Sequence, residues 1–140
     1  MDTVDERTQI PVMRLQRRMA AALRKPQPDE FVALCHPEIE FQTYGLGARE
    51  LQGTAQILEW WRTMRDATAY RVTLTDVQPL ADRVVFIEGR IQFEREGWFT
   101  DRQAHWVMIE RDDLAWRYRP VEDRAAAVEY ARSLGVLVDT

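Results

Sequence analysis

Two strands predicted in the C-terminal half of the chain carry residues suited to proton transfer. If residues 96–97 form a two-residue hairpin loop, Glu88 lies directly opposite His105 on the paired strand. A carboxylate beside an imidazole orients the ring and raises its basicity, as a general base requires. With a second such loop at residues 112–113, Tyr118 shares this face and can donate a hydrogen bond to a developing oxyanion.

The same strand face also offers residues that could bind a substrate. An apolar floor that grades into a few directional polar side chains is the composition of a small-molecule pocket. Tyr44 on the first strand and Trp61 on the third helix complete the predicted substrate-binding set. Its members on the face itself are Arg90, Gln92, Gln103, Trp116, Phe86 and Val107.

A simpler interpretation of this face stays open beside the first. Glu–His and Arg–Gln neighbours are also found in solvated strand pairs, where each cross-strand pair contributes a few tenths of a kcal/mol. In addition, a slip of one residue in the hairpin register would exchange the two faces of the sheet.

The opposite strand face carries large apolar side chains, and we expect it to form a twofold homodimer interface. Monomers rarely leave such a patch in water, and aromatic residues with Met and Arg are favoured at interface centres. Arg117 and Arg119 are expected opposite Met108 and Trp106, at the rim. The patch comprises Ile91, Phe93, Trp98, Trp106 and Met108.

Composition narrows the class of protein. The chain has 140 residues and a net charge of −4, which argues against a nucleic-acid binder that neutralises phosphates. A single cysteine, Cys35, and two histidines leave little material for a disulfide framework or a metal site. No apolar stretch fits a signal peptide or a membrane span. We therefore expect one cytoplasmic domain over residues 1–140, with a loose tail over residues 1–9.

The hydrophobic periodicity predicts an α+β fold. Two helices, one strand and a third helix starting at Thr54 precede an antiparallel four-strand meander over residues 70–119 and a closing alanine-rich helix. Residues 45–54 are predicted as a loop. Because helices and strands segregate, a parallel doubly wound sheet is excluded. The expected architecture is a cone-shaped, bent antiparallel sheet with helices packed over one face.

Three segments carry a resemblance to a known family. They are ALCHPEIEF at the first strand, ELQGTAQILEWW at the third helix, and WVMIERDDLAWRYRPVEDRAAAVEYARSLG at the end. In these segments and in element order the chain resembles the nuclear-transport-factor-2-like superfamily, within it the SnoaL-like group. The resemblance implies a fold that hosts isomerases, cyclases, dehydratases, epoxide hydrolases and non-catalytic binders.

The family's active sites are only partly matched. Epoxide-hydrolase-like members use an Arg and an Asp two residues apart, but this chain has Arg90 and Gln92. Cyclase-like members pair a His with an Asp; His105 matches the first, while Tyr118 or Arg119 stands in place of the second.

These observations lead to two functional hypotheses. In the first, the domain binds a small hydrophobic or aromatic, oxygenated molecule and catalyses proton transfer as an isomerase, cyclase or dehydratase. His105 is then the base, Glu88 its orienting partner and Tyr118 the oxyanion donor, with no cofactor and no metal. In the second, a non-catalytic dimeric module holds a metabolite. The missing carboxylates favour the second hypothesis, and a buried Glu88–His105 pair would favour the first.

Overall fold

The computed structural model describes residues 10–43, 49–67, 69–95 and 97–137. They form four helices and six strands. In chain order these are α1 (Pro11–Leu23), α2 (Asp29–Ala33), β1 (Cys35–Gln42), β2 (Glu50–Gln52), α3 (Thr54–Ala67), β3 (Ala69–Ala81), β4 (Val84–Arg95), β5 (Trp98–Arg111), β6 (Leu114–Pro120) and α4 (Arg124–Ser133).

All six strands lie in one sheet with the order β2-β1-β6-β5-β4-β3. The predicted α+β class and the antiparallel meander from β3 to β6 are confirmed. Two details were not predicted. Strand β1 runs parallel to β6, and the segment expected to be a loop contains β2, whose Leu51 pairs with Phe41 and is fully buried.

The β4–β5 hairpin has the register that the sequence predicts. Arg95 pairs with Trp98 and Glu88 pairs with His105, without any shift along the two strands. Glu96 itself lies outside the described residues. The loop at Asp112 and Asp113 is also as predicted, and both residues have positive φ angles of 57° and 63°. Two consecutive residues with positive φ form a type I′ turn, whose twist matches the twist of the paired strands.

A β-bulge shifts the register between β5 and β6 and corrects one prediction. Glu110 pairs with Ala115, but Ile109 pairs with Arg117, so Trp116 is the extra residue. Beyond such a bulge, each side chain points to the face opposite to the one that simple alternation predicts. Tyr118 therefore lies opposite Met108, not opposite Val107 as predicted.

The two faces of the sheet are covered by different helices. We call the side beneath α1, α2 and α3 the inner face; its core includes Val85, Ile87 and Met108. We call the other side the outer face, where α4 packs through Ala127 and Ala131. The apolar outer-face residues beneath α4 are Val84, Phe86, Val107, Ile109 and Trp116.

Three of the five residues of the predicted dimer patch are in fact part of the core. Ile91, Trp106 and Met108 are at most 5% exposed within one chain, because the apolar stripes of α1 and α3 cover them. The sequence shows that these helices are amphipathic, but it does not show which sheet face they cover. The side chain of Phe93 lies outside the described part of the structure, and Trp98 is 79% exposed. Arg117 and Arg119 lie opposite Ile109 and Val107, not opposite Met108 and Trp106 as predicted.

Strands β3 and β4 approach each other closely at Gly89. A Cβ atom there would lie 2.5 Å from the backbone oxygen of Thr73. The register of the pair also shifts just beyond this point, between Leu74 and Asp76. The narrow space between the two strands therefore requires a glycine at position 89.

We expect Gly89→Ala to lower the free energy of unfolding by about 3 kcal/mol, because the two strands must separate to admit the methyl group. Urea unfolding measures this loss. Gly97→Ala is the matched control, since Gly97 has a positive φ of 82° but no atom within 4 Å of its would-be Cβ. Its cost should be about 1 kcal/mol from backbone strain alone. Equal losses in the two variants would contradict the close approach.

Candidate functional site

The predicted carboxylate–imidazole pair is present on the outer face. The Nε2 atom of His105 lies 3.5 Å from the Oε2 atom of Glu88, and the two side chains are 24% and 29% exposed. The His105 ring stacks on Phe86, with ring centroids 5.6 Å apart and an interplanar angle of 9°. The Phe86 ring and the Glu88 carboxylate together fix the orientation of the imidazole, as a general base or a structural pair would require.

A second polar group lies next to this pair and includes a residue that the predicted site left out. Asp101 accepts hydrogen bonds from Nε and Nη2 of Arg90 at 3.1 and 2.9 Å, and from Nε2 of Gln92 at 3.3 Å. The sequence already indicates this position of Asp101, because the predicted hairpin register pairs Asp101 with Gln92. Because Asp101 holds the guanidinium of Arg90, the charge of this arginine is already compensated. Gln103 pairs with Arg90 and is exposed.

The apolar floor predicted for the pocket is occupied by protein. Phe86, Val107 and Trp116 are buried beneath α4, whose alanines allow a close approach. The Trp116 ring also lies 3.8 Å from the guanidinium carbons of both Arg111 and Arg117. These residues therefore stabilise the packing of α4 and the β5–β6 bulge.

The sheet separates the predicted site into two groups. The outer face brings together eight of its members, namely Phe86, Glu88, Arg90, Gln92, Gln103, His105, Val107 and Trp116. Tyr118 and Trp61 lie on the inner side, in the core cluster beneath the N-terminal helices. Tyr44 lies outside the described residues. Tyr118 therefore cannot act as oxyanion donor together with His105, because the backbone of the sheet lies between them.

Tyr118 belongs instead to a cluster of aromatic rings on the inner side. It stacks on Phe41 with centroids 5.1 Å apart, and Phe41 also contacts Trp60 at 5.4 Å and Phe31 at 6.1 Å. Trp61 closes the group at 5.3 Å from Phe31. Trp60 is partly exposed, whereas the other four rings are buried, so the cluster extends from the core to the surface.

Few polar side chains are buried among the described residues. Gln16 on α1 is 4% exposed, on the helix side that packs against the inner face. It interrupts the apolar stripe of α1 at a core position, a pattern that indicates a buried polar side chain from the sequence alone. Together with the Tyr118 phenol, Gln16 gives this side of the sheet a small amount of hydrogen-bonding capacity.

Two of the buried titratable side chains, His36 and Glu110, stabilise turns. His36 accepts a hydrogen bond at Nδ1 from the Glu38 backbone and lies 3.4 Å from Asp112. Glu110 accepts a 2.6 Å hydrogen bond from the backbone of Asp113. Both therefore stabilise local structure.

Within the described ranges, no group of three His, Cys, Asp or Glu side chains is arranged to hold a metal ion. No helix in the same part of the chain is both long and apolar enough to cross a membrane.

Comparisons with known proteins give one family and one fold. The family model of the SnoaL-like domain matches residues 16–118. No curated protein sequence matches the chain.

Solved structures share the fold at low sequence identity. An NTF2-like protein of Burkholderia thailandensis superposes with a TM-score of 0.71 at 16% identity, over 86% of this chain and 95% of its own. Rv0760c of Mycobacterium tuberculosis, in complex with estradiol-17β-hemisuccinate, has a TM-score of 0.71 at 12% identity, over 84% and 98%. TerC, co-crystallised with polyporic acid, has a TM-score of 0.67 at 20% identity, over 85% and 96%.

Cys35 is buried in the core and is not suited to act as a nucleophile. It is 4% exposed, and its thiol donates a 3.3 Å hydrogen bond to the carbonyl of Phe31. Burial raises the pKa of Cys35 from 9.0 to about 12 by disfavouring the charged thiolate.

We expect the Cys35 thiol to be inert in the folded protein at pH 8. A pKa raised by about three units lowers the thiolate fraction about a thousandfold, and the thiolate is the reactive form. Reaction with an aromatic disulfide reagent such as DTNB should therefore be at least 100-fold slower in buffer than in 8 M urea. Comparable rates in the two solutions would contradict the buried position.

Proposed function

Because the chain belongs to the family of SnoaL-like domains, we propose that it binds a small, largely apolar, oxygenated ring molecule between the inner face of the sheet and α1–α3. The observation that carries the proposal is the aromatic cluster of Phe31, Phe41, Trp60, Trp61 and Tyr118. Aromatic side chains supply large, rigid contact surfaces for flat ligands.

The polar groups of the inner side suit such a ligand. The Tyr118 phenol can donate one hydrogen bond, and the Gln16 amide can donate and accept. A few directional groups within an apolar lining fix the orientation of a ligand. Two structural relatives support this chemistry, since their bound molecules, estradiol-17β-hemisuccinate and polyporic acid, are oxygenated ring compounds.

Binding without catalysis is what these inner residues support best. Neither a phenol nor an amide is a base near neutral pH. Among the described residues, the buried side chains that could be bases, His36 and Glu110, stabilise turns instead. The domain is therefore proposed to be a module that holds a metabolite.

Proton transfer on the outer face is a second proposal, favoured by the half-buried Glu88–His105 pair. In this proposal His105 is the base and Glu88 orients its ring, while Arg90, Gln92 and Gln103 anchor an oxygenated substrate. The reaction class is isomerisation, cyclisation or dehydration, without the phenol of Tyr118.

The protein is also proposed to act in the cytoplasm as a homodimer. The interface predicted from Ile91, Trp106 and Met108 is excluded by their burial in one chain. A dimer must therefore use another surface.

We expect Tyr118→Phe to weaken the binding of estradiol-17β-hemisuccinate and of polyporic acid about 5-fold. Loss of one hydrogen bond costs about 1 kcal/mol while the ring stays in place. Quenching of tryptophan fluorescence measures the affinity. Tyr130→Phe is the matched control, because this half-buried phenol lies on α4, near Arg119, and should leave both affinities unchanged. Equal effects of the two variants, or no saturable binding of either probe, would contradict the inner site.

We expect His105→Gln to slow proton exchange about 100-fold if the outer pair is a general base. Estrone serves as probe because its ketone has acidic neighbouring C–H bonds, and mass spectrometry of deuterium uptake from D2O measures the rate. His36→Gln is the control, since His36 lies near the start of β1, which β6 and β5 separate from Glu88 on β4. A rate equal to that of the wild type would make His105 a structural residue, and the inner binding site would be unaffected.

A further inference from the structure

Strand β5 is longer than its neighbour β6 and leaves an open edge. The pairing of β6 ends where Pro120 lies opposite Trp106, and the backbone N–H of Val121 donates to His105. Beyond this point residues 98–104 pair with β4 on one side. On the other side no strand of the described residues pairs with them.

The backbone groups at this edge have a defined direction. The His105 carbonyl bonds away from β4, to Val121. Because the direction of these groups alternates along an antiparallel strand, the N–H and C=O groups of Phe99, Asp101 and Gln103 also point to the open edge. The β4–β5 register has no shift over this stretch, so the alternation is unbroken.

The edge also carries unusual side chains. Trp98 and Phe99 are 79% and 66% exposed and are the large apolar side chains that the described residues leave in water. Asp101 and Arg102 are exposed as well; they lie on β5 between these two aromatic residues and the buried part of the strand.

The other edges of the sheet are protected against pairing. Edge strand β3 contains Pro79 and a register shift after Leu74, and edge strand β2 has three residues. Prolines, bulges and short length are common devices against edge-to-edge association. The open part of β5 has none of these devices, although it presents exposed aromatic residues.

We propose that residues 98–104 pair with the same segment of a second copy of this chain, antiparallel about a twofold axis at Thr100. In this register Phe99 and the partner subunit's Asp101 exchange two backbone hydrogen bonds, and the symmetric pair exchanges two more. The inference does not depend on the proposed ligand site.

The side chains fit this register. Trp98 lies directly opposite the partner subunit's Arg102, and both point to the inner side, so each copy gains a cation–π contact. An axis at Asp101 or Arg102 would instead place two like charges opposite each other, which is unfavourable. Thr100 is the neutral residue between the aromatic pair and the charged pair.

The open edge is also long enough. Seven residues span about 23 Å at about 3.3 Å per residue. With the axis at Thr100, the partner's hairpin tip lies about 10 Å along β5 from the axis, while Trp106 and the end of β6 lie about 20 Å away. Each hairpin tip therefore fits into the space that the short β6 leaves in the other copy.

A register-specific disulfide tests the proposal. The two Thr100 residues would form a non-hydrogen-bonded pair, whose Cα atoms lie about 4.5 Å apart, a separation that a disulfide spans. Thr100→Cys should give a covalent dimer with oxidised glutathione, while Arg102→Cys, four positions out of register, should not. The native Cys35 is buried and does not interfere. Cross-linking of Arg102→Cys alone would overturn the register.

Sedimentation velocity of the full chain tests the interface itself. The wild type should be dimeric at 50 µM. Phe99→Pro removes an edge N–H that β4 does not use and should raise the dissociation constant at least 100-fold. Phe99→Ala keeps this N–H and should raise it about 10-fold. A monomeric wild type, or equal effects of the two variants, would overturn the proposal. The proposal would also be overturned if the chain dimerised only after removal of residues 2–9, because the edge would then be covered by the chain's own N-terminal segment.

Discussion

The alternation of side chains across β4, β5 and β6 is the constraint on which this structure depends. Each residue of a strand can serve one face only, so the register decides whether it meets the N-terminal helices or α4. Along β4, the odd-numbered Ile87 and Ile91 point to the inner face and Glu88 points to the outer face. Along β5, the paired Trp106 points inward and His105 outward. The chemistry available on each face follows from this separation.

One extra residue in β6 changes the chemistry available on each face. Without the bulge at Trp116, the Tyr118 phenol would lie beside His105 and complete a three-residue proton-transfer site. With it, Tyr118 stacks on Phe41, and Arg117 and Arg119 reach Glu40 and Gln42 on β1. The bulge therefore gives the inner side its phenol and ties the outer side of β6 to β1, so the Tyr118 phenol and the Glu88–His105 pair lie on opposite faces.

Sequence reasoning predicted the parts of the fold that local rules control. Short loops at residues 96–97 and 112–113 fix which residues pair, and the stripe of Val12, Leu15 and Met19 identifies α1 as amphipathic. Two features could not be predicted. A bulge arises from packing around Trp116, and the face that a helix covers depends on how the chain crosses the sheet. The predicted register of the β4–β5 hairpin was therefore correct, and the predicted position of Tyr118 was wrong.

The same logic explains why the exposed aromatic residues are informative. Ile91 and Trp106 are as apolar as Trp98, yet they are buried in the inner core, whereas Trp98 at the far end of the hairpin is 79% exposed. At that end the chain leaves backbone donors, two aromatic rings and an Asp–Arg step together. A solvated loop would need none of these, whereas an edge strand that pairs with its own copy uses all three. Because pairing through backbone groups uses neither sheet face, a dimer formed there leaves both the inner aromatic cluster and the Glu88–His105 pair outside its interface.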